Sequence, residues 1–286
     1  MFSCLLQLWP LRCLSLFWSS LLKPYKTESG NQRSTHVAVK KLAFSYPGEQ
    51  LVLKGVDLEM LPGEKVGIIG PNGSGKTTLF LLFAGILAPA SGSISILGNP
   101  VRTGSFNSNL GFVFQNPDDQ LFCPTVRDDL AFGLLNLGYS KEESDSVIDK
   151  YLNSVGLTDL AERPPHNLSG GEKRMISIAG VTIMNPAIVM LDEPESSLDS
   201  RARRHLIDFL GESEKSLLIA SHDLEFLLET CDRIVVLDKG RICADGPSKK
   251  IMGDESFMNS HGFEKPHSLV PHVNQHHRNS YREHSQ

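Results

Sequence analysis

The run Gly70-Pro71-Asn72-Gly73-Ser74-Gly75-Lys76-Thr77-Thr78 constrains this chain more than any other segment. It fits the phosphate-loop pattern G-x-x-x-x-G-K-[ST], in which glycines let successive backbone N–H groups turn inward around phosphate oxygens. Lys76 supplies a point charge at the β/γ end, and the Thr77 hydroxyl is placed for Mg²⁺. The flanks agree with that reading. Glu64 to Ile69 is a short apolar run between Gly63 and Gly70, as a buried strand requires. Thr78 to Ala84 is apolar and helix-like, and its N-terminal dipole would face the anion. Strand, loop and helix in this order predict a nucleotide site on an α/β fold.

A second motif supports the first. Ala187-Ile188-Val189-Met190-Leu191-Asp192-Glu193 is an apolar strand ending in two carboxylates. On its own it reads as a strand end with two solvated acids. Beside a phosphate loop, Asp192 is placed to hold Mg²⁺ and Glu193 to polarise an attacking water. Leu168-Ser169-Gly170-Gly171-Glu172 has the form of a capping box, with a bare backbone at Gly170 and Gly171 that can approach phosphate closely.

With these motifs the chain resembles the ATP-binding subunits of ABC transporters, from about Val37 to Gly246. The resemblance implies a RecA-like P-loop core with an antiparallel β subdomain and an inserted helical subdomain at about residues 116–180. It also implies ATP and Mg²⁺ as ligands. The Ser169-Gly170-Gly171 signature would bind the γ-phosphate of ATP held by a second subunit, which implies a head-to-tail dimer of this chain or of a close paralogue. Tyr46 resembles the aromatic that stacks on adenine. Gln115 resembles the glutamine that senses Mg²⁺ and couples to a membrane partner. Ser197-Leu198-Asp199 resembles the loop at the dimer seam, and His222 the switch histidine that contacts the γ-phosphate. One departure stands out: Glu195 adds a charge where most relatives carry Thr and small residues, so it is expected near the seam, whereas Glu172 in place of the commoner Gln is a change many relatives share.

The nonamer from Phe114 to Phe122, Phe-Gln-Asn-Pro-Asp-Asp-Gln-Leu-Phe, resembles the corresponding stretch in ATPases of energy-coupling-factor importers. In that class the residues after the glutamine form a short helix and groove that receive a transmembrane coupling subunit, which works with a substrate-binding membrane subunit. The tail from Glu264 to Leu269, with its later histidines, resembles tails of cobalt and nickel uptake ATPases. The implied function is ATP-driven import of a transition metal, at the cytoplasmic face of the cell membrane. The alternatives are a vitamin importer of the same class and a soluble ABC ATPase without transport.

Bulk composition sets the outer limits. A net charge of −5 without a dominant basic block leaves no electrostatic footprint for nucleic acid. The five cysteines are scattered without C-x-x-C spacing, which argues against a disulfide framework or a zinc site. Cys123 and Cys243 have apolar neighbours in sequence and are expected in the core. Residues 1–34 are read as an extension outside the domain: Pro10 and Arg12 break the apolar run short of the ~20 residues of a membrane span, and an upstream start is preferred over an interfacial anchor because a nucleotide domain cannot work after export away from ATP. The domain is expected over 35–253. Residues 254–286 are polar and histidine-rich without a period, and are expected to be a disordered tail.

Overall fold

A computed structural model describes residues 35–270. The N-terminal extension of residues 1–34 and the last part of the tail, residues 271–286, lie outside the described residues. The chain opens with β1 (Val37–Phe44) and β2 (Leu53–Met60), paired antiparallel as their alternation predicts. Then come β3 (Lys65–Ile69), α1 (Lys76–Phe83), β4 (Ser91–Ile96), β5 (Asn99–Pro100) and β6 (Leu110–Val113). Three helices follow: α2 (Val126–Asn136), α3 (Lys141–Val155) and α4 (Gly170–Thr182). The chain then alternates: β7 (Ile188–Asp192), α5 (Ser200–Glu212), β8 (Ser216–Ala220), α6 (Leu224–Thr230) and β9 (Arg233–Asp238). It closes with β10 (Arg241–Pro247), α7 (Ser248–Gly253) and α8 (Glu255–Ser260).

Two sheets form. One is antiparallel in the order β2-β1-β4-β5; the other runs β10-β9-β3-β8-β7-β6. Within the second, β9, β3, β8, β7 and β6 are parallel and only the edge strand β10 is antiparallel. Strands β7 and β8 are buried at all five positions each, which is why they read as unbroken apolar runs. Because these strands are parallel, the residues following β3, β6, β7 and β8 all emerge at one carboxyl edge. Open α/β sheets bind ligands at that edge.

Three apolar cores hold the parts together. Between the sheets, Val39, Leu58 and Ile94 meet Phe80 and Leu82 of α1 and Val66 and Leu218 of the parallel sheet. On the other face, Leu206 and Leu210 of α5 and Phe226 of α6 cover Ile219, Ile234 and Val236. A third core joins Leu130 and Leu134 of α2, Ile148 and Leu152 of α3, and Ile176 of α4. The Ser140 capping box opens α3 as its sequence indicates, and Gly156 closes the helix in the left-handed region at φ 64°.

Two expectations need correction. The fold does not stop at Gly253: α8 follows, Met258 is fully buried, and Phe257, Phe263 and Leu269 pack on the second core. Ser268 is held by two hydrogen bonds to the Glu225 carboxylate. These anchors are too widely spaced to produce a helical or strand period, so the start of the tail reads as structureless although it is docked. The cysteines also differ from expectation. Among the described residues, Cys243 is exposed, Cys123 half-buried and Cys231 buried. Burial pushes the Cys231 thiol up to about 12.

Candidate nucleotide site

The phosphate loop runs from the end of β3 into α1. Gly73 and Gly75 take φ of 78° and 106°, values that a side chain would strain, so their backbone amides can converge. Gly70 is required for another reason. A Cβ there would lie 2.1 Å from the Leu237 carbonyl oxygen and 2.5 Å from Ser74 Oγ. Lys76 is 8% exposed and folds back over the loop, donating to the carbonyl of Gly70 at 2.7 Å and of Pro71 at 3.4 Å. Desolvation lowers its pKa, opposed by the nearby charges of Glu193 and Asp192. Ser74 Oγ is buried and has no hydrogen-bond partner. An orphaned hydroxyl in a glycine-rich loop at a helix start fits an anion that is to be bound there.

The ends of β6, β7 and β8 complete the arrangement. Thr77 donates its hydroxyl to Asp192 Oδ2 at 2.7 Å. Asp192 is 1% exposed, and burial raises its carboxyl above the ordinary value; the Thr77 bond and the charges of Lys76 and Arg174 pull it back. Glu193 follows with φ 46°, and its amide donates to the Ala220 carbonyl at 2.8 Å. A glutamate in the left-handed region is held there against a cost of about 1–2 kcal/mol. Gln115 Nε2 donates to Glu193 Oε2 at 2.9 Å, and His222 Nδ1 lies 3.2 Å from Glu193 Oε1. The carboxylate is thus held from both sides.

Lys76, Thr77, Asp192, Glu193, Gln115 and His222 therefore form one connected set. Tyr46 stands beside it. Its hydroxyl is 3.1 Å from the Thr78 hydroxyl, and its ring meets Phe44 edge-on. Asn72 is exposed at the tip of the loop. The signature residues are held elsewhere. Ser169 caps α4, with its backbone N–H donating to Glu172 Oε2 at 2.8 Å. Glu172 thus performs the reciprocal half of a capping box. Gly170 and Gly171 face Ser197, Leu198 and Ala202, so the signature and the Ser197–Asp199 loop are neighbours.

Glu195 is not an exposed seam charge. It is 8% exposed and accepts a hydrogen bond from the Ser221 hydroxyl, while its Oε2 is buried without a partner. The turn after β7 directs it under the ends of β7 and β8 rather than outward. Arg174 is a residue that motif reading misses. It is 2% exposed and donates to the carbonyls of Phe114 and Gln115 and to the Ser196 hydroxyl. It ties α4 to the segments that carry Gln115 and Glu193. Two further bonds reinforce the tie: Lys173 pairs with Asp118 at 2.6 Å, and Gln120 donates to the Ser177 carbonyl at 2.7 Å.

The sequence profile of the ABC transporter family matches residues 53–196, which span the phosphate loop, the signature and the Asp192–Glu193 strand. The chain belongs to the ABC transporter ATP-binding family. A putative ABC transporter ATP-binding protein of Synechocystis is 49% identical over 233 residues, covering 82% of each chain. The energy-coupling factor transporter ATP-binding protein EcfA of Methanocaldococcus jannaschii is 40% identical, covering 76% of this chain and 81% of its own. The structure of cbiO1 from Clostridium perfringens, part of the ABC transporter complex cbiONQ, superposes with a TM-score of 0.69 at 32% identity, covering 79% of this chain and 94% of that one. This ABC ATPase is thus an ATP-binding, ATP-hydrolysing transporter subunit with a P-loop NTPase fold. Among its described residues no helix is long and apolar enough to cross a membrane.

Proposed function

We propose that this ABC ATPase energises an energy-coupling-factor importer for a transition metal ion, cobalt or nickel, from the cytoplasmic face of the cell membrane. The observation that carries the ATPase mechanism is the Glu193 carboxylate, gripped by Gln115 and His222 beside the Thr77–Asp192 pair. The likeness to EcfA and to cbiO1 supports the energy-coupling-factor class, and the resemblance of the Glu264–Leu269 stretch to tails of cobalt and nickel uptake ATPases favours these metals over a vitamin.

In this reading the loop amides and Lys76 bind the phosphates of ATP. The fit rests on the unpartnered Ser74 hydroxyl and on the glycine conformations of the loop. Thr77 and Asp192 would hold Mg²⁺, with Gln115 reaching it from the β6 end. When bound, the ion neutralises charge on the β and γ oxygens. Glu193 takes the proton from the attacking water, and His222 positions both the carboxylate and the γ-phosphate. Tyr46 stacks on the adenine. Ser169, Gly170 and Gly171 of one protomer complete the site of its partner, so two copies, or one copy and a paralogue, close over two MgATP. Differential affinity for the closed dimer then moves the membrane subunits.

The Asn116–Phe122 segment, with Asp118 and Gln120 pinned to α4, offers a relay to a membrane subunit. Phe122 and Phe132 beside it are 66% and 50% exposed and stack edge-to-face, an apolar surface suited to a coupling helix. The deciding experiment is purification from detergent-solubilised membranes, followed by reconstitution of the complex in liposomes. Co²⁺ or Ni²⁺ should accumulate only with MgATP, and not with Glu193→Gln. Uptake of a vitamin without metal would replace the substrate. A complex without any membrane protein would overturn the transport reading.

A further inference from the structure

Asp238, Cys243 and His261 lie far from the nucleotide residues in sequence, and their ligand atoms all fall within 4.8 Å of one another. Each comes from a different part of the chain. Asp238 ends β9, Cys243 sits on β10, and His261 follows α8. The pairing of β9 with β10 shifts register between Ile242 and Ala244, which leaves Cys243 as the extra residue of a β-bulge. Bulges commonly re-aim a side chain. Here the thiol and the Asp238 carboxylate share the corner on which α8 docks. His261 is oriented twice: its Nδ1 is 3.0 Å from Asp238 Oδ2, and its ring lies 4.6 Å from that of Phe257. The Asp238 and His261 side chains are only 16% and 18% exposed, whereas Cys243 is open to solvent.

We propose that Asp238, Cys243 and His261 form a binding site for a divalent transition-metal cation of the zinc, cobalt or nickel type. One thiolate, one imidazole and one carboxylate make a donor set of intermediate softness, which disfavours Mg²⁺ and Ca²⁺ and suits these ions. Three protein donors leave a fourth tetrahedral position for water. Metal–ligand bonds of about 2.0–2.3 Å require the three donor atoms to draw together by a small side-chain movement, which the exposed Cys243 makes by giving up a weak 3.7 Å bond to the Arg241 carbonyl. No motif announces the site, because the ligands are separated in sequence and meet only when α8 docks on the hairpin. None of its three donors is among the residues assigned to ATP, and the site does not depend on which substrate the transporter moves.

The test uses the reduced full-length chain and Co²⁺ as a spectroscopic probe. A bound cysteine thiolate gives a charge-transfer band that nitrogen and oxygen ligands do not, so cobalt held by the nucleotide loop or by the tail histidines is silent in it. The band should saturate at about one equivalent and disappear in Cys243→Ser. His261→Ala and Asp238→Asn should each weaken Co²⁺ binding by roughly tenfold or more. All three variants should keep wild-type turnover of MgATP when no Co²⁺ is added, which shows that they fold. Absence of the band, its survival in Cys243→Ser, or unchanged affinity in both other variants would overturn the site.

Discussion

At the carboxyl edge of the parallel sheet, Asp192 is 1% exposed and the side chains of Lys76, Thr77, Gln115, Glu193 and His222 all have partners. At the start of α4, Ser169 and Gly170 are exposed, and Ser169 bonds only within its own capping box. The first region is preorganised by mutual hydrogen bonds and by neighbouring strands, around the buried Lys76 and Asp192. The second is satisfied locally and keeps its outer surface for something else. Two regions that serve one reaction need not be built alike: chemistry requires fixed groups, whereas a surface that engages a partner's nucleotide must be free to dock and leave.

Removing the proton acceptor from the buried region should have the largest effect. Glu193→Gln keeps the shape and the hydrogen bond from Gln115 but abolishes the base. ATP turnover should fall by about 10²–10⁴-fold, with ATP binding retained and the ATP-bound dimer accumulating in size-exclusion chromatography. Near-normal turnover would show that the strained backbone at Glu193 serves some other purpose.

The exposed region should respond differently. Ser169→Arg places a bulky cation where a phosphate of the partner's nucleotide would sit. Turnover should fall by about 10²–10³-fold, the scale for losing a preorganised phosphate contact. Nucleotide binding to the isolated protomer should stay near wild type, and stability should fall only by the roughly 0.5–2 kcal/mol of a lost N-cap, because Ser169 supports nothing beyond its own helix start. A large loss of stability would erase the contrast between the regions.

Arg174 joins the two regions, and it also shows where sequence reading stops. The phosphate loop and the Asp192–Glu193 strand are legible because each concentrates its chemistry in a few consecutive residues. The parallel core is legible because both faces of its strands are covered. Arg174 sits between Lys173 and Met175 on an ordinary helix and looks like a surface cation. Its acceptors at Phe114, Gln115 and Ser196 lie 60, 59 and 22 residues away. β10 is equally hard to anticipate, since it is an edge strand of mixed composition that ends in Asp245-Gly246-Pro247. Glu195 was read as a seam charge because sequence does not say which way a turn faces. Arg174→Ala should lower stability by about 2 kcal/mol, through loss of charge-assisted bonds to buried carbonyls, measured as a shift of the urea midpoint. Turnover should fall with it, because Gln115 loses its backbone anchor. If turnover fell and stability did not, Arg174 would be a coupling element only.

Glu195 offers the smallest and most specific effect. Burial raises its carboxyl above the ordinary 4.5, only partly opposed by the Ser221 hydroxyl. The folded protein therefore binds that proton more tightly than the unfolded chain does. Between the unfolded value and the raised folded value, native molecules hold more protons than unfolded ones, so stability must fall as pH rises through that window. Asp192 is raised in the same direction and adds to the slope. Glu195→Gln keeps an oxygen to accept from Ser221 and removes the charge. Urea midpoints followed from about pH 4.5 upward should decline less steeply in this variant than in the wild type, the remaining decline belonging to Asp192. An unchanged slope would mean that Arg174 compensates the Glu195 charge in full, and the buried region would then be better balanced than its unpartnered Glu195 oxygen indicates.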